Sequence, residues 1–247
     1  GIKAFLTHSG IDDFPNVTEE DLRAGMKIIA QSDVPLLAHC ELDSEGHDGD
    51  LNDNPKSYQA FLKSRPKQWE DDAITMMIEL CEETKCHTHV VHLSSADSIK
   101  QLQEAREVGL PLTVETCSHY LFFNAEDIPD GETVYKCAPP IREKENNEQL
   151  WQGIKDGVID FIITDHSPAA PEIKELTTGN LQKAWGGISG LQYSLPAVWK
   201  KGEERGLKIA DVSKLMSENI AQFLKLDHKK GIIKEGYDAD LMVWNPE

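Results

Sequence analysis

The chain has 247 residues, of which 39% are hydrophobic, and its 43 acidic side chains outnumber its 25 basic ones. That length suits one large domain, and that hydrophobic content is typical of a globular chain and not of a disordered one. The net charge of −18 argues against nucleic acid and anionic lipid as partners, because like charges repel.

Short apolar runs alternate with helical patterns along the chain. The predicted strands are Ile2–Thr7, Pro35–His39, His87–Leu93, Pro111–Glu115 and Asp160–Asp165. They are short, and several are rich in valine, isoleucine, leucine or threonine, as is typical of buried parallel strands. The predicted helices begin with a capped start at Thr18–Asp21 and continue with Trp69–Lys85, Ser95–Val108, Glu145–Asp156 and Ile209–Ser217. This alternation predicts an α/β fold, with helices outside a parallel sheet.

Two stretches have less regular patterns. Residues 117–149 include Pro139-Pro140 and are predicted to form a large loop, of the kind that builds active sites at the carboxyl ends of barrel strands. Gly231–Pro246 alternates apolar and polar residues, which predicts one or two strands outside the main sheet. Because Gly1 opens directly into a strand-like run, and five strands cannot close an eight-stranded barrel, we expect a fragment of a longer domain.

The cysteines indicate a cellular compartment. They are Cys40, Cys81, Cys86, Cys117 and Cys137. Their odd number and the lack of a signal-peptide pattern predict a reducing, cytoplasmic location. The close pair does not predict a zinc site, because no second Cys/His pair follows at finger spacing. No apolar run approaches the roughly 20 residues of a transmembrane helix, so we expect no membrane association.

Polar side chains recur where the predicted strands end. His39, His92 and Asp165 lie at or near strand ends, and Lys3 lies inside the first strand. Because the carboxyl ends of parallel strands share one edge, we expect these four residues to lie close together. Imidazole and carboxylate groups suit Zn²⁺, which can lower the pKa of bound water to about 7, and a carboxylate beside that water can act as base and then as acid.

Each of these residues also has an ordinary structural explanation. A single histidine at a strand end is often structural, and Asp165 before Ser167-Pro168 could cap a helix. Lys3 is the unusual member, since a lysine buried in a barrel is costly unless it is paired or neutralised. One escape is reaction of its amine with CO₂, which makes an anionic carbamate able to bridge two metals. The set is therefore a stronger signal than any one residue.

Six motifs occur in a characteristic order. They are Gly1-Ile-Lys3-Ala-Phe5, Leu36-Leu-Ala-His39-Cys-Glu41, Val90-Val-His92-Leu-Ser-Ser95, Glu115-Thr-Cys-Ser-His-Tyr120, Lys136-Cys-Ala-Pro-Pro-Ile-Arg142 and Ile163-Thr-Asp165-His-Ser-Pro168. Together they resemble the cyclic amidohydrolases, a family that includes allantoinase, dihydroorotase, hydantoinase and dihydropyrimidinase. The run Gly231–Trp244 resembles the C-terminal strands of these proteins, so the resemblance covers essentially the whole chain.

The resemblance implies a fold. It is a (β/α)₈ barrel of the TIM type, of which residues 1–228 would form strands four to eight and residues 229–247 part of a small β domain. The family's His-x-His pair on the first strand would lie upstream of Lys3 and is therefore missing. His87-Thr-His89 has that spacing but lies on the strand of His92.

The resemblance also implies roles for the metal-binding residues. Lys3, carboxylated, would bridge two divalent metal ions, Zn²⁺ above all. His39 and His92 would bind the second metal, and Asp165 would bind the first metal and act as the catalytic acid and base.

Substrate contacts follow from the same resemblance. The backbone at Cys137-Ala138 would bind the ring amide. His8 lies where hydantoinases carry a tyrosine that supports the oxyanion, so it would be a further catalytic residue. His119 and His166 would have supporting roles.

Within the family the motifs are most like those of allantoinases. Dihydroorotases carry a histidine four residues after the catalytic aspartate, where this chain has Ala169, and hydantoinases carry serine where it has Ala138. The implied reaction is opening of the allantoin ring to allantoate by a metal-bridging hydroxide, in a homo-oligomer. The alternatives are another cyclic amidohydrolase and a non-catalytic scaffold relative. Retention of all four expected residues argues against the scaffold.

Overall fold

The computed structural model describes residues 1–43 and 49–246, with the backbone alone for residues 49 and 50, so Glu247 lies outside the described residues. Five strands form one parallel sheet in the order β1-β2-β3-β4-β5. They are β1 Ile2–Phe5, β2 Leu36–His39, β3 Thr88–Val90, β4 Leu112–Cys117 and β5 Phe161–Ile163. All five predicted strands are confirmed, with ends that differ by a few residues.

Ten α-helices connect and cover the strands in the described parts of the chain. They are α1 Glu19–Ile29, α2 Gly49–Asp53, α3 Tyr58–Ser64, α4 Lys67–Thr84, α5 Ile99–Glu107, α6 Ser118–Phe122, α7 Lys144–Lys155, α8 Ser194–Glu203, α9 Ile209–Ser213 and α10 Asn219–Phe223. A π-helical turn, Lys214–Glu218, joins α9 to α10. None of the described helices is long and apolar enough to cross a membrane.

The register brings the carboxyl ends of the strands together. Phe5 pairs with His39, Ala38 with Val90, and Cys117 with Ile163. The residues that follow each strand therefore face one edge of the sheet, which is where a site in this kind of fold is built.

Local sequence explains the first helix well. Thr18 accepts a hydrogen bond from the Asp21 backbone N–H at 3.2 Å, and the Asp21 carboxylate accepts one from the Thr18 N–H at 3.0 Å. This reciprocal cap satisfies two N–H groups that the first turn would leave free. Leu22 and Met26 then bury one face of the helix in the core.

The predicted large loop contains more regular structure than its sequence pattern indicates. α6 and the start of α7 both lie within residues 117–149. α6 is only five residues long, and side chains from distant elements hold its surroundings: Trp151 donates to the Leu121 carbonyl at 3.1 Å and Asn147 to that of Tyr120 at 2.7 Å. A helix of five residues that depends on such distant contacts is too short to show helical periodicity in its sequence.

Residues 231–246 do not form the predicted strands. They are turns and extended chain, in which Asp238 donates to the Lys229 carbonyl and Tyr237 to that of Lys234. Their backbone groups make turns instead of a ladder with a neighbouring strand, and Val243 is fully exposed. The division between residues 1–228 and 229–247 remains a prediction.

Candidate active site

Three of the four predicted metal-binding residues lie where the strands end. His39 is the last residue of β2, His92 follows β3 by two residues, and Asp165 follows β5 by two. His92 and Asp165 have positive φ angles of 43° and 41°. Non-glycine residues rarely adopt this left-handed backbone, and such strain is concentrated at functional sites.

The structure brings His39 and His92 into direct contact. Both are buried, and His39 Nδ1 lies 3.0 Å from His92 Nε2. On its other side, His39 Nε2 lies 2.8 Å from a carboxylate oxygen of Glu41. Arg65 donates two hydrogen bonds to the same carboxylate, at 3.0 and 2.6 Å. Arg65 and Glu41 therefore fix the orientation of the His39 ring.

The Glu41 carboxylate is ionised although it is fully buried. Burial by itself raises its pKa, but the charge of Arg65 and the hydrogen bond of His39 outweigh burial and hold the pKa well below its usual range. Local sequence contains a signal for this contact, because Glu41 follows His39 by only two residues at the end of β2. Arg65 lies at the C-terminal end of α3, and nothing in the local sequence indicates that it contacts Glu41.

The His39–His92 pair fits a metal ion in its donor chemistry. His92 Nδ1 is buried with no hydrogen-bond partner. Burial, and after it the nearby His39, keep the pKa of His92 well below its ordinary value, so the ring is neutral, as a metal ligand must be. In residues 1–43 and 49–246 no group of three or more His, Cys, Asp or Glu side chains is arranged to hold a metal. The pair thus offers part of a donor set and not a complete one.

Lys3 and Asp165 belong to the two outer strands of the sheet, since Lys3 lies on β1 and Asp165 follows β5. Lys3 is on β1 and retains exposed surface, yet surrounding protein atoms partly desolvate its amine and lower its pKa. Partial burial likewise raises the pKa of Asp165, against the opposing charge of Lys3. Each residue thus affects the other electrostatically, although no direct ion pair joins them in the described contacts.

Side chains from α6 and from the segment after β3 anchor the backbone that follows Cys137-Ala138. Tyr120 donates its hydroxyl hydrogen to the Pro139 carbonyl at 2.8 Å, and Ser94 donates to that of Pro140 at 2.6 Å. Cys137 itself is buried, and burial raises the pKa of its thiol to about 12. A thiol of that pKa is not a nucleophile at neutral pH, and the binding role of the Cys137-Ala138 backbone remains a prediction.

The remaining histidines have separate positions. His8 lies on the exposed loop after β1, where it accepts the Gly10 N–H at 3.1 Å and lies 3.9 Å from Asp12. His166 accepts the Leu191 N–H at 3.3 Å. His119 is buried, and neither ring nitrogen has a hydrogen-bond partner. The structure thus brings His39 and His92 together but does not bring His8 to them, and its catalytic role remains a prediction.

Comparison with known proteins identifies a matching family model and several similar allantoinases. The amidohydrolase family model matches residues 4–247. An allantoinase of Arabidopsis thaliana is 43% identical over 257 residues, which cover 100% of this chain and 50% of that protein. A mitochondrial allantoinase of Aquarana catesbeiana is 43% identical, covering 99% of this chain and 50% of that protein. The chain thus spans about half the length of the curated relatives it matches.

Solved structures agree on the fold. The L-hydantoinase (dihydropyrimidinase) from Arthrobacter aurescens superposes with a TM-score of 0.89 at 27% sequence identity, covering 96% of this chain and 53% of that one. Dihydropyrimidinase from Brevibacillus agri superposes with a TM-score of 0.86 at 25% sequence identity. The five-stranded sheet is therefore part of a TIM-type barrel, as the sequence indicates. From this fold, and from the match over residues 4–247, we conclude that the chain belongs to the amidohydrolase family.

Proposed function

We propose that this chain forms the C-terminal half of an allantoinase, which hydrolyses the cyclic amide bond of allantoin to give allantoate. One observation supports this most: the His39–His92 contact, oriented by Glu41, occurs in a chain 43% identical to allantoinases. Lys3 and Asp165 complete the set of residues that the reaction requires.

The proposed cofactors are two divalent metal ions, Zn²⁺ above all. Members of the family are generally dinuclear metal enzymes. His39 and His92 would hold one ion, Asp165 the other, and a carbamate on Lys3 would bridge them. When bound, such ions polarise a carbonyl and lower the pKa of water. Ligands to the first ion would also come from the half of the relatives that this chain does not span.

Two pKa shifts support these roles. Desolvation lowers the pKa of the Lys3 amine, which increases the neutral form that reacts with CO₂. Desolvation raises the pKa of Asp165, which suits a carboxyl group that must first accept a proton and then release it. Asp165 would take the proton from the attacking water and deliver it to the ring nitrogen as the ring opens.

Binding and orientation would come from the neighbouring loops. The Cys137-Ala138 backbone would bind the ring amide, and we retain His8 as a candidate support for the oxyanion. Its exposed loop lies directly after β1, five residues beyond Lys3 in the chain.

A hydantoinase or dihydropyrimidinase activity is the second candidate. Solved structures of those enzymes superpose with TM-scores of 0.89 and 0.86. They carry out the same bond cleavage on related rings, so the barrel alone does not distinguish the substrates. We favour allantoin because the allantoinases match at the higher identity of 43%.

We also propose a cytoplasmic homo-oligomer with no nucleic acid or membrane partner. All five cysteines are free and buried, which suits a reducing compartment. The net charge of −18 disfavours anionic partners.

The test is allantoin hydrolysis with Zn²⁺ and bicarbonate, by the 247-residue chain alone and by the chain joined to the N-terminal half of the Arabidopsis relative. We expect turnover only in the joined form. Asp165→Asn in that form should abolish turnover while leaving metal content largely intact. A nearly wild-type rate would exclude the proton-transfer role of Asp165, and joined protein that hydrolyses hydantoin or dihydrouracil but not allantoin would establish the second candidate.

A further inference from the structure

Lys174 makes an unusual set of contacts next to the proposed substrate loop. It lies on the segment between β5 and α8, and only 6% of its surface is exposed. Its Nζ donates hydrogen bonds to the carbonyls of Lys136 at 2.9 Å, Trp185 at 3.0 Å and Gly187 at 2.6 Å. All three ammonium protons are thus used on backbone oxygens.

This arrangement has an energetic cost. Burial lowers the pKa of Lys174 to about 8, which shows that the surroundings disfavour its charge. An apolar side chain would avoid that cost, but it would lose the three hydrogen bonds to backbone carbonyls. A buried cation that binds three carbonyls from two chain segments holds those segments in a defined relation.

A second lysine makes the reciprocal contacts. Lys136 Nζ donates to the Ala184 carbonyl at 2.6 Å and to that of Gln182 at 3.3 Å. The Gly187 N–H donates to the Lys136 carbonyl at 2.8 Å. The Lys136 oxygen therefore receives hydrogen bonds from both Gly187 and Lys174, and it belongs to the residue directly before Cys137.

The same segment packs closely against the residues after Asp165. A Cβ on Gly187 would lie 2.5 Å from the Ser167 carbonyl oxygen, so only glycine fits at this point. Gly187, with a φ of 132°, thus touches Ser167 on one side and Lys136 on the other. The contacts connect the loop of the proposed acid/base to the loop that would bind the ring amide.

We propose that Lys174 is a positioning residue, which holds the Lys136–Ala138 backbone at the place where it binds the cyclic amide. This inference rests on the proposed function and extends it. Lys174 does not touch the substrate in this proposal. It acts through the Lys136 carbonyl and Gly187.

The kinetic test uses Lys174→Met in the joined, active protein, with Lys183→Met as the matched control on the exposed part of the same segment. Because loss of substrate positioning weakens binding, we expect KM to rise roughly tenfold and kcat to fall less. A purely structural role would lower the amount of active protein, and hence the maximal rate, with KM unchanged. A KM within about twofold of wild type overturns the proposal.

Hydrogen exchange gives a second readout that needs no substrate. We expect Lys174→Met to reduce protection of the Gly187 amide relative to the Leu93 amide, which donates to the carbonyl of Glu115 on β4 at 2.8 Å. Because both amides belong to one molecule, a general loss of stability affects both. Unchanged relative protection shows that Lys174 does not hold the segment. If the Met variant does not fold, Lys174→Gln, which keeps a donor, should change both readouts in the same direction.

The two readouts separate this inference from the proposed function. Joined wild-type protein that hydrolyses no cyclic amide would refute the proposed function and the substrate role together. The exchange ratio would still decide whether Lys174 holds the two segments. Active wild-type protein with an unaffected Lys174→Met variant refutes the inference alone.

Discussion

His119 is a buried side chain whose charge state depends on the fold. Neither ring nitrogen has a hydrogen-bond partner, and burial lowers its pKa to about 3 from the ordinary 6.5. Between about pH 3 and pH 6.5, the unfolded chain binds a proton at His119 that the folded chain does not. The stability that neutral His119 contributes is therefore complete above pH 6.5 and is lost as the pH falls toward 3.

His119→Phe should remove this pH dependence. From pH 7 to pH 5 the wild-type protein should lose about 2 kcal/mol through His119, equivalent to roughly 5 °C in Tm, and the Phe variant should not. Thermal unfolding of both proteins at the two pH values gives the difference, since all other titrating groups are shared. His228→Phe, at an exposed position, is the control and should follow wild type. Parallel Tm curves for wild type and His119→Phe would contradict the argument.

The helices differ in how far local sequence supports them. α1 has a complete capping box, a buried face formed by Leu22 and Met26, and acidic residues in its first turn, where they interact favourably with the helix dipole. α6 has no side-chain cap and depends on contacts from α7. This is why the pattern around Thr18 predicts a helix while that around Ser118 does not.

Thr18→Ala should lower the free energy of unfolding by about 1 kcal/mol, because it leaves the Asp21 N–H without its acceptor. Urea unfolding should show a lower midpoint with an unchanged m value. Thr18→Ser keeps the hydroxyl group and should remain close to wild type. Equal losses in the two variants would mean that the methyl group, and not the cap, stabilises α1.

At the scale of the whole molecule, one side of β1 has no partner strand among the described residues. The Ile2 and Leu6 amides donate toward β2, to Pro35 and His39, while the Phe5 carbonyl accepts from Val17 on the opposite side. Because backbone groups of alternate residues point to opposite sides of a strand, the Lys3 and Phe5 amides face away from β2. In an eight-stranded barrel that side would pair with the preceding strand.

Joining the N-terminal half of a relative should therefore protect the Lys3 and Phe5 amides. We expect them to exchange quickly in the 247-residue chain and slowly in the joined protein, as measured by NMR or mass spectrometry. The Ile2 and Leu6 amides, already bonded to β2, serve as the internal reference. Rapid exchange at Lys3 and Phe5 in an active joined protein would show that the barrel does not close at β1.

The sequence alone determined the α/β class, the five strands and the places of His39, His92 and Asp165. These features are local, because apolar runs, capping patterns and residues at strand ends can be identified within a few positions. The family resemblance extended this to the barrel, and it predicts roles for Lys3 and the Cys137-Ala138 segment.

Only the tertiary structure decided how these residues are supported. Arg65 meets Glu41 across 24 positions of the chain, and Lys174 meets Lys136 across 38. It also shows the left-handed backbone at His92 and Asp165, and the absence of strands within the described residues 231–246. Such contacts join segments with no common periodicity, and a strand forms only where a partner strand accepts its hydrogen bonds. Neither condition can be inferred from local sequence pattern, because both depend on how distant segments meet in the fold.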